Sequence, residues 1–233
     1  MIQPGQLILP KVHGMMNRNR TERISCRVLQ ALACIMLLAG CTGLHAPQVE
    51  SSHIYVLDAR VPVKTVKIKR DVVLAVSMPR ARPGYDTSRI AYMRQPNELD
   101  YFVVNRWADT PARMLEPLLV QALEQTHSFR AIVRTPGEVS ANIRLDTDLI
   151  RLQQNFETQP SKVQLTLRVQ LIDVTDKRVL AVKIFDETEN AASDNAYGGV
   201  ITANRLLQRV LEQLSDFCIN ESVEPQSSDS GRP

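Results

Sequence analysis

The chain is poor in the residues that most often announce chemistry. Its 233 residues include 4 histidines, 4 cysteines, 1 tryptophan and 9 glycines, and aromatic residues make up 5%. With 44% of positions hydrophobic, this composition excludes collagen-like, disulfide-scaffold and wholly disordered classes. No apolar run approaches the roughly 20 residues that a membrane-crossing helix needs. No HExxH, GxSxG, CxxC, P-loop or GxGxxG pattern occurs. Only His127 and His53 stand near patterned sequence, so a His-based acid–base pair or a multi-His zinc site lacks material. The expectation is a protein without catalytic residues, resident cofactor or metal. Excess charge is scarce as well: the net charge is +3, and Lys11, Arg18, Arg20, Arg23 and Arg27 against Glu22 account for it within residues 1–40. Residues 41–233 carry 23 basic and 24 acidic groups, a balance that points to no nucleic-acid partner.

What is present begins with the leader. Residues 28–39, VLQALACIMLLA, form an uncharged apolar run of 12, preceded by Arg18, Arg20, Arg23 and Arg27 and followed by Leu38-Ala39-Gly40-Cys41. A basic region, a short apolar region and a small-residue cleavage site make a signal peptide. The tetrapeptide resembles the bacterial lipobox, which implies cleavage between Gly40 and Cys41 and lipid attachment at Cys41. A plain secretory signal or a buried helix is the competing reading. A single acyl chain holds a protein marginally, whereas two or more anchor it stably. Thr42 is not the Asp that, by resemblance to enterobacterial lipoproteins, favours inner-membrane retention, so the periplasmic face of the outer membrane is the expected location. Residues 1–14 precede Met15 and Met16 as an upstream start extension.

The expected organisation is a signal peptide over 1–40, a lipid-proximal linker over 41–53, one domain over 54–219 and a disordered tail over 220–233. Removal of Cys26 and Cys34 and acylation of Cys41 leave Cys218 alone, so no internal disulfide is expected. Within the domain, strands are predicted at Ile54–Ala59, Val66–Met78, Arg89–Arg94, Leu99–Trp107, Phe129–Arg134, Val139–Gln153, Val163–Leu171 and Val179–Asp186. The second half of Val139–Gln153 changes phase, which predicts a bulge near Thr147. Val163, Leu165, Leu167, Val169 and Leu171 alternate with polar residues, the pattern of a sheet with one wet face. Helices are predicted from Asp109 or Thr110 to His127, with Pro117 as a kink or a later start, and from near Ser193 or Asn195 to Phe217. The order argues for an α+β fold, a mainly antiparallel sheet with two amphipathic helices packed on one face.

Several residues invite a functional reading beside a structural one. Asp146 and Asp148 share one side of a strand and are more often a solvated face than an acid and base. Gly198-Gly199 suits a helix entry better than a phosphate site, His127 a helix C-terminus, and Cys218 a buried inert thiol. Residues 60–94 hold nine basic and two acidic groups, against fourteen basic and twenty acidic in 95–233. This polarised, tether-proximal end can meet anionic headgroups or an acidic partner, or serve as a solvated sheet edge. Tyr85, Arg89 and Arg94 near it are the partner-contact candidates; Tyr92, Tyr101 and Trp107 read as core.

Residues 72–123 carry VVLAVSMP, Tyr85-Asp86, Arg89-Ile90-Ala91-Tyr92-Met93-Arg94, Leu99-Asp100-Tyr101-Phe102, Arg106-Trp107-Ala108 and a Leu-rich helix. With the lipobox, Tyr55-Val56-Leu57 and the closing amphipathic helix, this order resembles the ABC-type transport auxiliary lipoprotein family, which includes the paraquat-inducible protein C-like lipoproteins. The resemblance implies a noncatalytic lipoprotein that works with an MCE-domain protein, an ABC permease and its ATPase in moving lipids or other hydrophobic molecules between membranes. Self-association into a homo-oligomer stays open. Two other classes compete: a periplasmic assembly or regulatory lipoprotein binding an outer-membrane protein or cell-wall synthase, and an enzyme using scattered carboxylates in a concave pocket.

Overall fold

The computed structural model describes Gln30 and residues 52–60, 69–137 and 139–222. The lipobox and residues 66–68 of the predicted Val66–Met78 strand lie outside the described residues; of the rest of that prediction only Val73–Ser77 is strand, and the stretch before it is irregular. The described elements are β1 (His53–Tyr55), β2 (Val73–Ser77), β3 (Arg80–Ala81), β4 (Arg89–Met93), β5 (Leu99–Trp107), α1 (Pro111–Glu124), β6 (Ala131–Thr135), β7 (Ile143–Asn155), β8 (Lys162–Asp173), β9 (Arg178–Asn190) and α2 (Ala196–Glu221).

The α+β expectation holds. All nine strands form one sheet whose spine is β7. Along one edge of β7 the short strands β2, β3 and β4 pair in succession, at Ile143–Leu145, Asp148–Leu149 and Gln153–Asn155. Its other edge pairs with β8 over its whole length, and β9 follows β8. The sheet therefore forks, with β6 beside β2 and the β5–β1 pair beside β4. The antiparallel ladders β4–β5, β7–β8 and β8–β9 carry most of the paired residues, while the ladders joining the short strands to β7 are parallel.

Alternation decides which face is dry. Val163, Leu165, Leu167, Val169 and Leu171 of β8 are buried, as are Ile143, Leu145 and Leu149 of β7, and both helices cover that face in one core. The phase change in β7 sits later than predicted: the ladder slips between Leu149 and Arg151, leaving Ile150 as the extra residue, and burial resumes at Leu152. Ile150 and Thr147 are both β-branched, so composition alone did not choose between them.

The predicted helix start at Thr110 is correct, with Pro111 in the first turn, but α1 ends at Glu124 and His127 follows in a left-handed turn at φ 53°. The helix runs through Pro117, which neither starts it later nor shifts it. Pro117 and Arg113, four residues earlier, both lie on the exposed side, so water reaches the carbonyl that the proline leaves without a partner. Pro117→Ala is expected to stabilise the domain by about 1–3 kcal/mol, raising the melting temperature by several degrees. An unchanged or lower melting temperature would contradict this account of the helix.

α2 begins where the sequence placed it. The Asn195 side chain accepts a hydrogen bond from the Gly198 N–H at 2.9 Å, so the protein's own cap fills the helix N-terminus. A Cβ at Gly199 would collide with Gln154 Oε1, and one at Gly198 with the Ser193 backbone, which explains both glycines as close-packing positions. On its flank Arg205 and Arg209 hold Glu189 of β9 at 2.7 and 2.6 Å, fastening helix to sheet. Burial pulls the Glu189 carboxyl upward, but the hydrogen bonds from Arg209 and Arg205 outweigh it and hold its pKa below the ordinary 4.5. A carboxyl that is more acidic when folded gives stability that is present above pH 4.5 and fades as pH falls through the folded value. Glu189→Gln is expected to lose about 1 kcal/mol at neutral pH. In urea unfolding this deficit should shrink toward zero on acidification; a deficit independent of pH would refute it.

Candidate functional site

The corner built by β3, β4 and β5 brings together two of the three predicted contact residues. After β3, Gly84 takes φ 94°, a conformation open to glycine, and its carbonyl accepts from the Tyr101 hydroxyl at 2.8 Å. That turn lays Tyr85 over the open face, where its hydroxyl meets Gln153 Oε1 and Arg151. Burial dominates in raising the Tyr85 phenol above its ordinary value, against the pull of Arg151, so the hydroxyl stays protonated and donates. Gln153 continues the chain of polar contacts, donating to Gln164 Oε1 at 3.0 Å and to Met93 Sδ at 2.8 Å. Tyr85 is thus half-buried and tied inward rather than presented to a partner.

Arg89 places its guanidinium 3.8 Å from the centre of the Tyr101 ring. Arg94 belongs elsewhere, 5.3 Å from the Tyr92 ring. Tyr92 follows Ala91, the cross-strand partner of Tyr101, and successive residues of a strand face opposite sides. Tyr92 packs with Phe102 at 4.7 Å and Phe156 at 5.9 Å, so Arg94 caps a separate half-buried aromatic cluster. Trp107 is core as predicted, and Tyr92 and Tyr101 are half-buried.

The sequence reading missed Arg106. A regular hairpin closed by the Met93–Leu99 pair would set Arg89 opposite Val103, but an irregularity in the ladder moves its partner to Arg106. No composition signal marks that shift. The described basic residues of 60–94 also fail to form one patch. Arg70 donates its backbone N–H to Ser128 near the β2 end of β7, Arg80 pairs with Asp148 at mid-strand, and Arg89 sits by the β4 end.

A second feature is an open cleft of about 530 Å³ on the wet face, lined by Ser77, Met78, Arg80, Thr135, Arg144 and Asp146. Asp146 accepts two hydrogen bonds from Arg144, at 2.9 and 3.1 Å, and one from Ser77 at 2.7 Å. Asp148 bridges Arg80 and Arg168 at 3.0 and 3.3 Å. Partial burial pushes the Asp146 carboxyl upward, but Arg144 and Ser77 overcome it and leave it more acidic than usual. An acid catalyst in a cleft needs the opposite shift. Cys218 is fully buried, and burial pushes its thiol far above the reactive range. Among the described residues no cluster of three His, Cys, Asp or Glu side chains is arranged to hold a metal, and no helix is long and apolar enough to cross a membrane.

Comparison with known proteins gives this arrangement a family. A solved structure of protein XCC0632 from Xanthomonas campestris, assigned to family DUF330, matches with a TM-score of 0.66 and 23% identity, over 72% of this chain and 95% of that one. An uncharacterised protein of known structure matches with a TM-score of 0.55 and 15% identity, over 74% of this chain and 99% of its own. Both establish the fold alone. No curated protein sequence matches significantly. Residues 55–215 match the family described as ABC-type transport auxiliary lipoprotein component. That span runs from β1 to near the end of α2, and the chain belongs to this family.

Proposed function

We propose that this protein is an outer-membrane-anchored periplasmic lipoprotein, lipidated at Cys41, that serves as a noncatalytic accessory to an MCE-type ABC transport system moving lipids or other hydrophobic molecules between membranes. The observation that carries this reading is the family match across the whole sheet and both helices. The cleft chemistry supports it: Asp146 and Asp148 are engaged by arginines and hold geometry instead of protons in transit. Energy comes from the partner ATPase. Arg94 over the Tyr92–Phe102–Phe156 cluster is the proposed protein-contact surface, because aromatic and arginine side chains dominate binding energy at interfaces. Tyr85 acts behind the surface as a positioning residue through Gln153.

Affinity purification of the native protein from membranes in mild detergent tests the proposal. Recovery of an MCE-domain protein with permease and ATPase is expected, and Arg94→Glu should lower that recovery at least several-fold without changing the melting temperature. Recovery of an outer-membrane protein or a cell-wall synthase in their place would overturn it, as would recovery of no MCE protein.

A further inference from the structure

The place where the tether enters the domain is fixed. Tyr55 donates its hydroxyl to Asn105 at 3.2 Å, and Asn204 of α2 clamps the next residues, accepting from the Asp58 N–H at 2.9 Å and donating to the Val56 carbonyl at 3.3 Å. β1 therefore forms a sheet edge immediately after residues 41–51, eleven positions that span at most about 40 Å when extended.

At this edge three strands align one side chain each. Ile54 of β1 is in register with Arg106 of β5, and Arg106 is in register with Arg89 of β4. Two like charges directly opposite in an antiparallel pair repel. Among the described residues neither arginine has a carboxylate within ion-pair distance: Arg106 donates to Ser52 Oγ at 3.1 Å, and Arg89 lies on the Tyr101 ring. Ile54 is 65% exposed, and Val56, two residues on, is 54% exposed. An arginine pair with no carboxylate partner among the described residues, beside exposed aliphatic side chains, matches the chemistry of a lipid interface, where phosphates meet guanidinium groups and alkyl chains reach the acyl boundary.

We propose that the edge formed by Ile54, Arg106 and Arg89 rests on an anionic phospholipid surface beside the anchor. This contact rests on the reading of Cys41 as lipidated, because the anchor then precedes Ser52 and β1 by only eleven positions of chain. It orients the domain with β1 toward the bilayer and leaves β9 facing away from it.

The test uses the full lipidated protein in vesicles of phosphatidylcholine, with and without phosphatidylglycerol, which also contain a nitroxide-bearing lipid. An environment-sensitive fluorophore is placed at Val56→Cys and, as a control, at the exposed Ile184→Cys on β9. Quenching at residue 56 is expected only with phosphatidylglycerol, fading with added salt, and none is expected at residue 184. Arg106→Glu should lower the contact equilibrium roughly tenfold, while creating an attractive pair with Arg89 that keeps the melting temperature equal or higher. That combination separates contact from folding. Flotation of the unlabelled protein tests the anchor independently. Flotation on both vesicle types with no quenching at residue 56 overturns the contact and leaves the anchor standing. Flotation only with phosphatidylglycerol overturns the anchor and supports the contact, and flotation on neither overturns both.

Discussion

Changing Cys41 to alanine is expected to move the protein from the membrane fraction to the soluble fraction of the envelope almost completely. The thiol of Cys41 is the only acylation site that the leader pattern offers after cleavage. Two or more acyl chains anchor a protein stably, whereas one chain holds with only about 10⁴ M⁻¹. Loss of all acyl chains therefore exceeds any electrostatic compensation by Arg89 and Arg106, each worth about 1 kcal/mol near an anionic surface. The measurement is fractionation with mass spectrometry of the N-terminal peptide. A Cys41→Ala protein that still sediments with membranes, or a native N-terminal peptide without lipid, would remove the basis for the anchored reading.

The second large effect concerns folding. Leu149, Leu167 and Phe185 stand in one cross-strand row through β7, β8 and β9, and Leu167 is fully buried. Leu167→Ala is expected to destabilise the domain by about 3–4 kcal/mol, within the range seen for fully buried leucines, against a total of about 5–15 kcal/mol for a typical domain. The urea midpoint should fall sharply with little change in slope. Leu167→Asp should yield no soluble domain, because no partner exists there for a carboxylate. Ile184→Ala, an exposed site on the neighbouring strand, should stay within about 0.5 kcal/mol. A Leu167→Ala deficit below about 1 kcal/mol would show that the row does not bear the core.

What the sequence discloses and what it hides follow a physical divide. The β8 alternation and the α2 stripe were legible because burial on one side imposes a period that composition must obey. Asn195 was legible as a helix start, since capping is local chemistry. Strand β3 was not, because two residues carry no period; Arg80 and Ala81 are strand only by pairing with Asp148 and Leu149. The inward tie of Tyr85 was hidden for a related reason: its partner Gln153 lies 68 residues away. The Arg89–Arg106 pair depends on a slip in the ladder, and a hairpin read from its turn gives Val103 instead. The candidate surface was thus half visible: the residue types stood in the sequence, and their partners were set by topology.

The forked sheet has a consequence for biogenesis. β2, β3 and β4 find their common partner only in β7, and the Val73–Asn142 hydrogen bond spans 69 residues of chain. On the proposed envelope location the polypeptide is exported amino end first, so β4 can pair with β5 at once, but the edges of these early strands that face β7 stay bare until the later half arrives. The β7–β8–β9 meander, whose ladders join neighbours, needs no such delay. A chain stalled in export before Asn155 would present open strand edges to the periplasm, so holdase capture should peak at that stage of translocation.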